Sequence, residues 1–373
     1  MQLQPDRDVS LDRAPCSIDE VPQEILDIII DALWADITTL KCCSLTCRRW
    51  LPRSSKALFA LRVFSGGTSK PGTAFLAAVQ LSERIQLNVA HLVLTGQSFA
   101  LWRLVTALPR LRTLRIVGWR RAEGALAMPA PETTRRSIDI LDLCSLPLAA
   151  ADWLLHLFRN VGTVRLDDID PNDTRFLRTR VHVARSADLR ATPQILRYLA
   201  DHLDGAALEN LKLEVIRAGD ETSCARNFIE KVGQNLRTYH NVHSELTSTT
   251  LVPPALSALD TLTSVTLTSE ARGRRAQDLA FLKSLPRNVA RLKIVYGHHG
   301  WRDDAALAKG FQHVDWAALG DTIVPRGRIE CLEIGVVRLN QLSNFAPLPK
   351  NTVACAAVLG KLSEELRRIV KFV

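Results

Sequence analysis

The chain has 373 residues, of which 47% are hydrophobic and 23% charged. That balance gives a folded chain with a substantial core and excludes a disordered or fibrous one. The formal charge of +9 suits acidic or phosphorylated partners. Its longest basic clusters, such as Arg120-Arg121 and Arg272-Gly273-Arg274-Arg275, are too short and scattered for a nucleic-acid surface.

In chain order, residues 1–17 are polar, carry Pro5 and Pro15, and read as a disordered lead without the apolar stretch of a secretory signal. Val21, Ile25, Leu26, Ile28, Ile29 and Leu33 then recur at helical spacing, with Asp19 as N-cap and Pro22 in the first turn. A second helical segment carries Leu40, Cys43, Leu45, Cys47 and Trp50 on its apolar side, and Leu51-Pro52 ends it. Helices this short bury too little surface to stand alone. Their apolar stripe needs cover from the rest of the chain or from another protein, and composition does not say which.

The residues Val21-Pro22-x-Glu24-Ile25-Leu26-x-x-Ile29-x-x-x-Leu33 and Asp36-x-x-Thr39-Leu40-x-x-Cys43-Ser44-Leu45-Thr46-Cys47-Arg48-x-Trp50 resemble an F-box, and their spelling is similar to the F-box proteins of mushroom-forming fungi. The resemblance covers residues 18–64. It implies a module that docks on the Skp adaptor of a Skp, cullin and F-box ubiquitin ligase, through Pro22, Ile25, Leu26, Ile29, Leu33, Leu40, Leu45, Cys47 and Trp50. Val21 stands where the family usually has Leu and Thr46 where it has Val. Those departures weaken docking by about 1–2 kcal/mol, too little to abolish it. The alternative is an ordinary helical hairpin packed on its own protein.

Ser65 to Gly72 is the most loop-like stretch and marks a boundary, followed by a connecting helix from Thr73 to Glu83, so residues 65–88 read as a linker. From Val89 to the end at 373 one pattern recurs: apolar, two spacers, apolar, one spacer, apolar. Copies begin at Val89, Leu111, Ile138, Val161, Leu208, Leu262, Val289 and Ile329, and two intervals are nearly double the rest. Degenerate copies are therefore expected near Val183 to Asp188 and Leu236 to Asn241. Helical segments fall between copies, at Phe99 to Leu108, Ala149 to Phe158, Thr192 to Leu203, Ala225 to Asn235 and Gln277 to Leu285. Strand and helix alternating at this period resemble a leucine-rich-repeat solenoid, an α/β fold of parallel strands. The Asn or Cys that usually follows the strand in that family is missing from most copies, so the solenoid should be irregular and its turns satisfied another way. A doubly wound parallel sheet is the alternative. Leu359, Leu362, Leu366 and Ile369 predict a C-terminal capping helix.

Strand alternation turns the spacer residues toward solvent on the concave face. It nominates Thr113, Arg115, Thr163, Arg165, Asn210, Lys212, Thr266, Arg291 and Lys293 for binding a target, with His91, Val93, Thr95, Val117, Asp167, Glu214, Ser264, Thr268 and Val295 beside them. Arg115 and Arg165 either hold a phosphate or acidic segment between them or pair with Asp142 and Asp167.

Catalytic signatures are not evident. Cys42-Cys43-x-x-x-Cys47 lacks a second pair at zinc-finger spacing, His240-x-x-His243-x-Glu245 reads as loop, and Tyr296 to Trp301 reads as a turn after a strand. No phosphate-binding or dinucleotide glycine motif occurs. The reading is a non-enzymatic adaptor with no cofactor or metal, no nucleic acid and no membrane partner, acting in the cytoplasm or nucleus with reduced cysteines. It brings an unidentified target protein to a Skp-type adaptor and through it a cullin. The alternatives are a repeat scaffold working outside any ligase and an enzyme or small-molecule sensor.

Overall fold

A computed structural model describes residues 21–65, 70–96, 105–118, 136–172, 182–215, 221–242, 256–270, 275–298, 314–324, 329–338, 358–360 and 362–372. Three helices open it: α1 (Gln23–Ala32), α2 (Ile37–Thr46) and α3 (Leu51–Ala60). The Asp36 carboxylate caps α2 by accepting from the Thr39 amide at 3.0 Å. Two expectations change here. Pro22 is the N-cap of α1 rather than part of its first turn, and Asp19 lies outside the described residues. Pro52 does not merely end a helix; it sits in the first turn of α3, where its missing N–H has no partner to lose.

Beyond α3 the strands form one parallel sheet in strict chain order, from β1 to β12. They are β1 (Leu61–Ser65), β2 (His91–Thr95), β3 (Thr113–Val117), β4 (Arg136–Cys144), β5 (Phe158–Asp167), β6 (Val183–Ala191), β7 (Asn210–Val215), β8 (Thr238–Val242), β9 (Ser264–Glu270), β10 (Arg291–His298), β11 (Cys331–Arg338) and β12 (Val370–Phe372). The helices between them are α4 (Lys70–Leu81), α5 (Glu83–Asn88), α6 (Leu148–His156), α7 (Pro193–His202), α8 (Glu221–Val232), α9 (Arg275–Lys283), α10 (Trp316–Ile323) and α11 (Glu364–Ile369). This order is solenoid-like. A doubly wound sheet would reverse direction at a switch point, and this one never does.

All eight recognised copies are strands, and β6 and β8 occupy the two degenerate ones. In register, Leu92, Leu114, Leu141, Val164, Ala187, Leu211, Tyr239, Val265, Leu292 and Leu332 form one continuous apolar row. Every one of them is buried. Each large aliphatic in such a row contributes up to about 1.5–3 kcal/mol of burial, so the row is the spine of the core.

The sheet is also longer than the sequence suggests. β1 pairs with β2 from within the stretch assigned to the first module, and α4 begins at Lys70 inside the expected loop. At the other end α11 is followed by β12, which adds a strand to β11 where only a cap was expected. His240 lies in β8 and Tyr296 and His298 in β10, not in loops. His243, Glu245, Trp301 and most of the segment from Phe99 to Leu108 lie outside the described residues.

The missing turn asparagines are replaced by backbone. The carbonyls of Ala90, Arg112, Arg185, Glu209, Arg237, Thr263 and Ala290 each accept an N–H from the chain entering the following strand. At the strand ends, Gly96, Gly118 and Ser145 take positive φ and each donates its N–H to the last carbonyl of the next strand. Side chains add to this in later repeats, where Asn235, Thr261 and Asn288 donate to the carbonyls of Ala206, Leu236 and Asp260 in the repeat before.

Candidate functional site

The first site is the face of α1 and α2. Leu26, Ile30, Leu40 and Cys43 are buried there, apart from the core cluster under the sheet, so the three helices carry a small core of their own. Side chains lash it together. Arg53 on α3 donates to both carboxylate oxygens of Asp31 on α1, and Arg49 Nη2 donates to the Val21 carbonyl at 2.6 Å. The Arg53 hydrogen bond holds the Asp31 carboxyl below its ordinary pKa.

Outward, Ile25, Ile28, Ile29, Trp34, Ile37 and Leu45 are exposed, Leu45 to 86%. Only one other large apolar side chain among the described residues, Leu81, is as open. All six lie between Ile25 and Leu45. Of the nominated adaptor contacts, Pro22, Ile25, Ile29 and Leu45 are exposed and Leu33, Cys47 and Trp50 are half-buried. Leu26 and Leu40, at 2% and 1% exposure, are buried within the helices instead. Ile28, Trp34 and Ile37 are exposed beside them but were not nominated. Ile28 was visible in the helical stripe, whereas Trp34 and Ile37 flank the turn, where helical spacing carries no signal.

The second site is the solvent face of the sheet. One row in register reads Arg115, Asp142, Arg165, Asp188, Lys212, His240, Thr266, Lys293 and Glu333. It is a charge ladder. Arg115 pairs with Asp142 at 3.5 Å, Lys212 with Asp188 at 3.1 Å and Lys293 with Glu333 at 3.4 Å. Arg115 and Arg165 are thus two strand spacings apart, roughly 9–10 Å along the sheet, and both act on the Asp142 carboxylate between them. Asp167 pairs with Arg190 rather than Arg165, because Arg190 is its register partner on β6. Arg165 stays exposed and forms no ion pair among the described residues.

In the next row Asn210 donates to Ser186 Oγ and accepts from Thr238 Oγ1, while Thr113 and Thr163 flank Ile140 and Arg291 is exposed. Burial raises the Asp142 pKa against the pull of Arg115 and Arg165. Burial, helped by Lys212 and Lys293, pushes His240 down to about 4.

A third cluster was invisible to motif reading. Asp152 and His156 on α6, His182 just before β6 and Tyr198 on α7 meet inside the protein. Burial opposes the Asp152 charge, but hydrogen bonds from His156, His182 and Tyr198 outweigh it and hold the carboxyl well below its ordinary range. Burial pushes the His182 pKa down, and burial with the Asp152 contact pushes the Tyr198 phenol far up.

Neither a protein-family model nor a curated protein matches this chain. No helix among the described residues is long and apolar enough to cross a membrane.

Proposed function

We propose that the chain is a substrate-recognition adaptor of a Skp, cullin and F-box ubiquitin ligase, working in the cytoplasm or nucleus. The α1–α2 face docks the Skp-type adaptor, and the charged sheet face of a leucine-rich-repeat solenoid receives the target protein. The observation that supports this reading is the concentration of exposed Ile25, Ile28, Ile29, Trp34, Ile37 and Leu45 on a helical segment with a separate small core, with Ile25, Ile29 and Leu45 at positions of the pattern that resembles an F-box. Such a module needs no catalytic group of its own, because an adaptor contributes proximity. The laddered sheet face favours a target with alternating charge over one with a single phosphate.

The test is co-purification of the tagged full chain with the Skp adaptor and a cullin, beside an Ile29→Asp, Leu45→Asp variant. Both positions are exposed, so the variant should melt with the wild type. Recovery of both partners by wild type and loss by the variant supports the reading. Recovery of the Skp adaptor without a cullin moves the chain to a scaffold outside the ligase, and recovery of neither removes the docking role.

A further inference from the structure

The buried cluster between α6 and α7 has the parts of a metal centre. Asp152 is 1% exposed, His182 5% and His156 9%. Their ligand atoms, one carboxylate oxygen and two imidazole nitrogens, lie within 4.8 Å of one another. Asp152 and His156 stand one helical turn apart, which puts both side chains on one face of α6. His156 Nδ1 is 3.3 Å from Asp152 Oδ1, and His182 Nε2 is 3.6 Å from the same oxygen.

Those separations carry information. Zinc binds imidazole nitrogen at about 2.0–2.1 Å and carboxylate oxygen at about 2.0–2.2 Å, so neighbouring ligands of a tetrahedral site stand about 3.3–3.5 Å apart. The edge from His182 Nε2 to Asp152 Oδ1, at 3.6 Å, lies just beyond that spacing. A fourth group is at hand, since the Tyr198 hydroxyl contacts Asp152 Oδ1 and lies 3.3 Å from His182 Nε2.

The backbone also fixes His182. Its N–H donates to the His202 carbonyl at 2.6 Å, and its carbonyl accepts from the Asp204 amide at 2.8 Å. A ligand held at both ends of its peptide unit is pre-positioned. An independent observation concerns His156. Its Nδ1 must carry the proton, because it donates to the Asp152 carbonyl at 2.8 Å, so the nitrogen free to bind a metal is Nε2, which is buried with no hydrogen-bond partner. A purely structural network rarely leaves a ring nitrogen unused in a closed interior.

We propose that Asp152, His156 and His182 bind one zinc ion, with Tyr198 beside the fourth position. The site is structural: it is closed to solvent, and it joins α6 to the strand–helix unit that follows it. This inference is independent of the docking function. Because the ligands are enclosed, the ion enters as the chain folds, and binding free energy becomes folding free energy.

The experiment unfolds the full chain in urea with chelator and refolds it with cobalt(II), with zinc or with chelator alone. Expected are one equivalent of bound metal, the intense visible bands of tetrahedral cobalt, and a melting temperature that rises with the logarithm of zinc concentration. Wild type alone decides the first question: refolded native chain without cobalt bands, melting alike with zinc and with chelator, overturns the proposal. A His182→Gln variant decides the location, with affinity expected to fall by more than about 100-fold. Native circular dichroism with undiminished cobalt bands in that variant places the metal elsewhere and also overturns it. Should that variant fail to refold, His156→Gln serves instead, and undiminished cobalt bands in that variant count against the site.

Discussion

Gly162 on β5 runs so close to Asp139 on β4 that a Cβ at position 162 would lie 2.6 Å from the Asp139 carbonyl oxygen. The obstacle is backbone, between two long paired strands, and it cannot rotate away. Gly162→Ala should therefore separate the two strands and cost about 1–3 kcal/mol. Gly360→Ala, where an added Cβ meets nothing within 4 Å, is the control. Urea midpoints of the two variants check this; equal midpoints would show that β4 and β5 tolerate the shift.

Arg165 stands in register between Asp142 and Asp188. Arg165→Glu would place three acids side by side across adjacent strands. Like charges directly opposite cost roughly 0.2–1 kcal/mol per pair, so this variant should lose on the order of 1 kcal/mol at low salt and recover part of it at high salt. Arg165→Ala should stay within about 0.5 kcal/mol of wild type. Denaturation at two salt concentrations gives the answer.

His240 sets a pH dependence whose sign is fixed by its depressed pKa of about 4 against an ordinary value of 6.5. The unfolded chain takes up the proton first as pH falls. Stability is therefore fully present above about pH 6.5 and declines between there and about pH 4, by up to roughly 3 kcal/mol. His240→Gln should flatten that segment of the melting-temperature profile while leaving the steeper acid limb below pH 4. A profile unchanged by the substitution would assign the decline to other groups.

The three N-terminal helices have a core of four side chains, so they should report substitutions locally. Ile30 is fully buried and Ile28 is 64% exposed, two residues earlier on the same helix. Ile30→Ala is expected to cost about 2–4 kcal/mol and to raise amide exchange throughout α1 and α2. Ile28→Ser should leave exchange unchanged. Hydrogen exchange separates the local response from the sheet, whose amides should be indifferent to both.

The sequence made eight strands legible because each keeps large aliphatics at its inward positions. β6 and β8 were only inferred from the doubled intervals, for a physical reason. β6 fills its inward positions partly with Ala184 and Ala187, and β8 uses Tyr239 and Asn241, joined by a hydrogen bond from the Tyr239 hydroxyl at 3.0 Å. The two end strands escaped altogether. β1 follows α3, and β12 follows α11, without a single intervening residue, so no turn chemistry announces either. The spacer rule placed many spacers outward but failed at Glu214, Thr268 and Val295, which are buried, and it did not give the pairing, since register decides which acid meets which base. The buried cluster was illegible because its members come from separate elements, with Tyr198 46 residues beyond Asp152; only the i,i+4 pair of Asp152 and His156 is local.

Because each strand is bonded only to its sequence neighbours, the molecule has a mechanical grain. Tension applied between the two ends would load the ladder at its outermost rung, where the three-residue β12 is held by β11 alone. Bonds would then open one row at a time, giving a sawtooth of small steps instead of a single rupture.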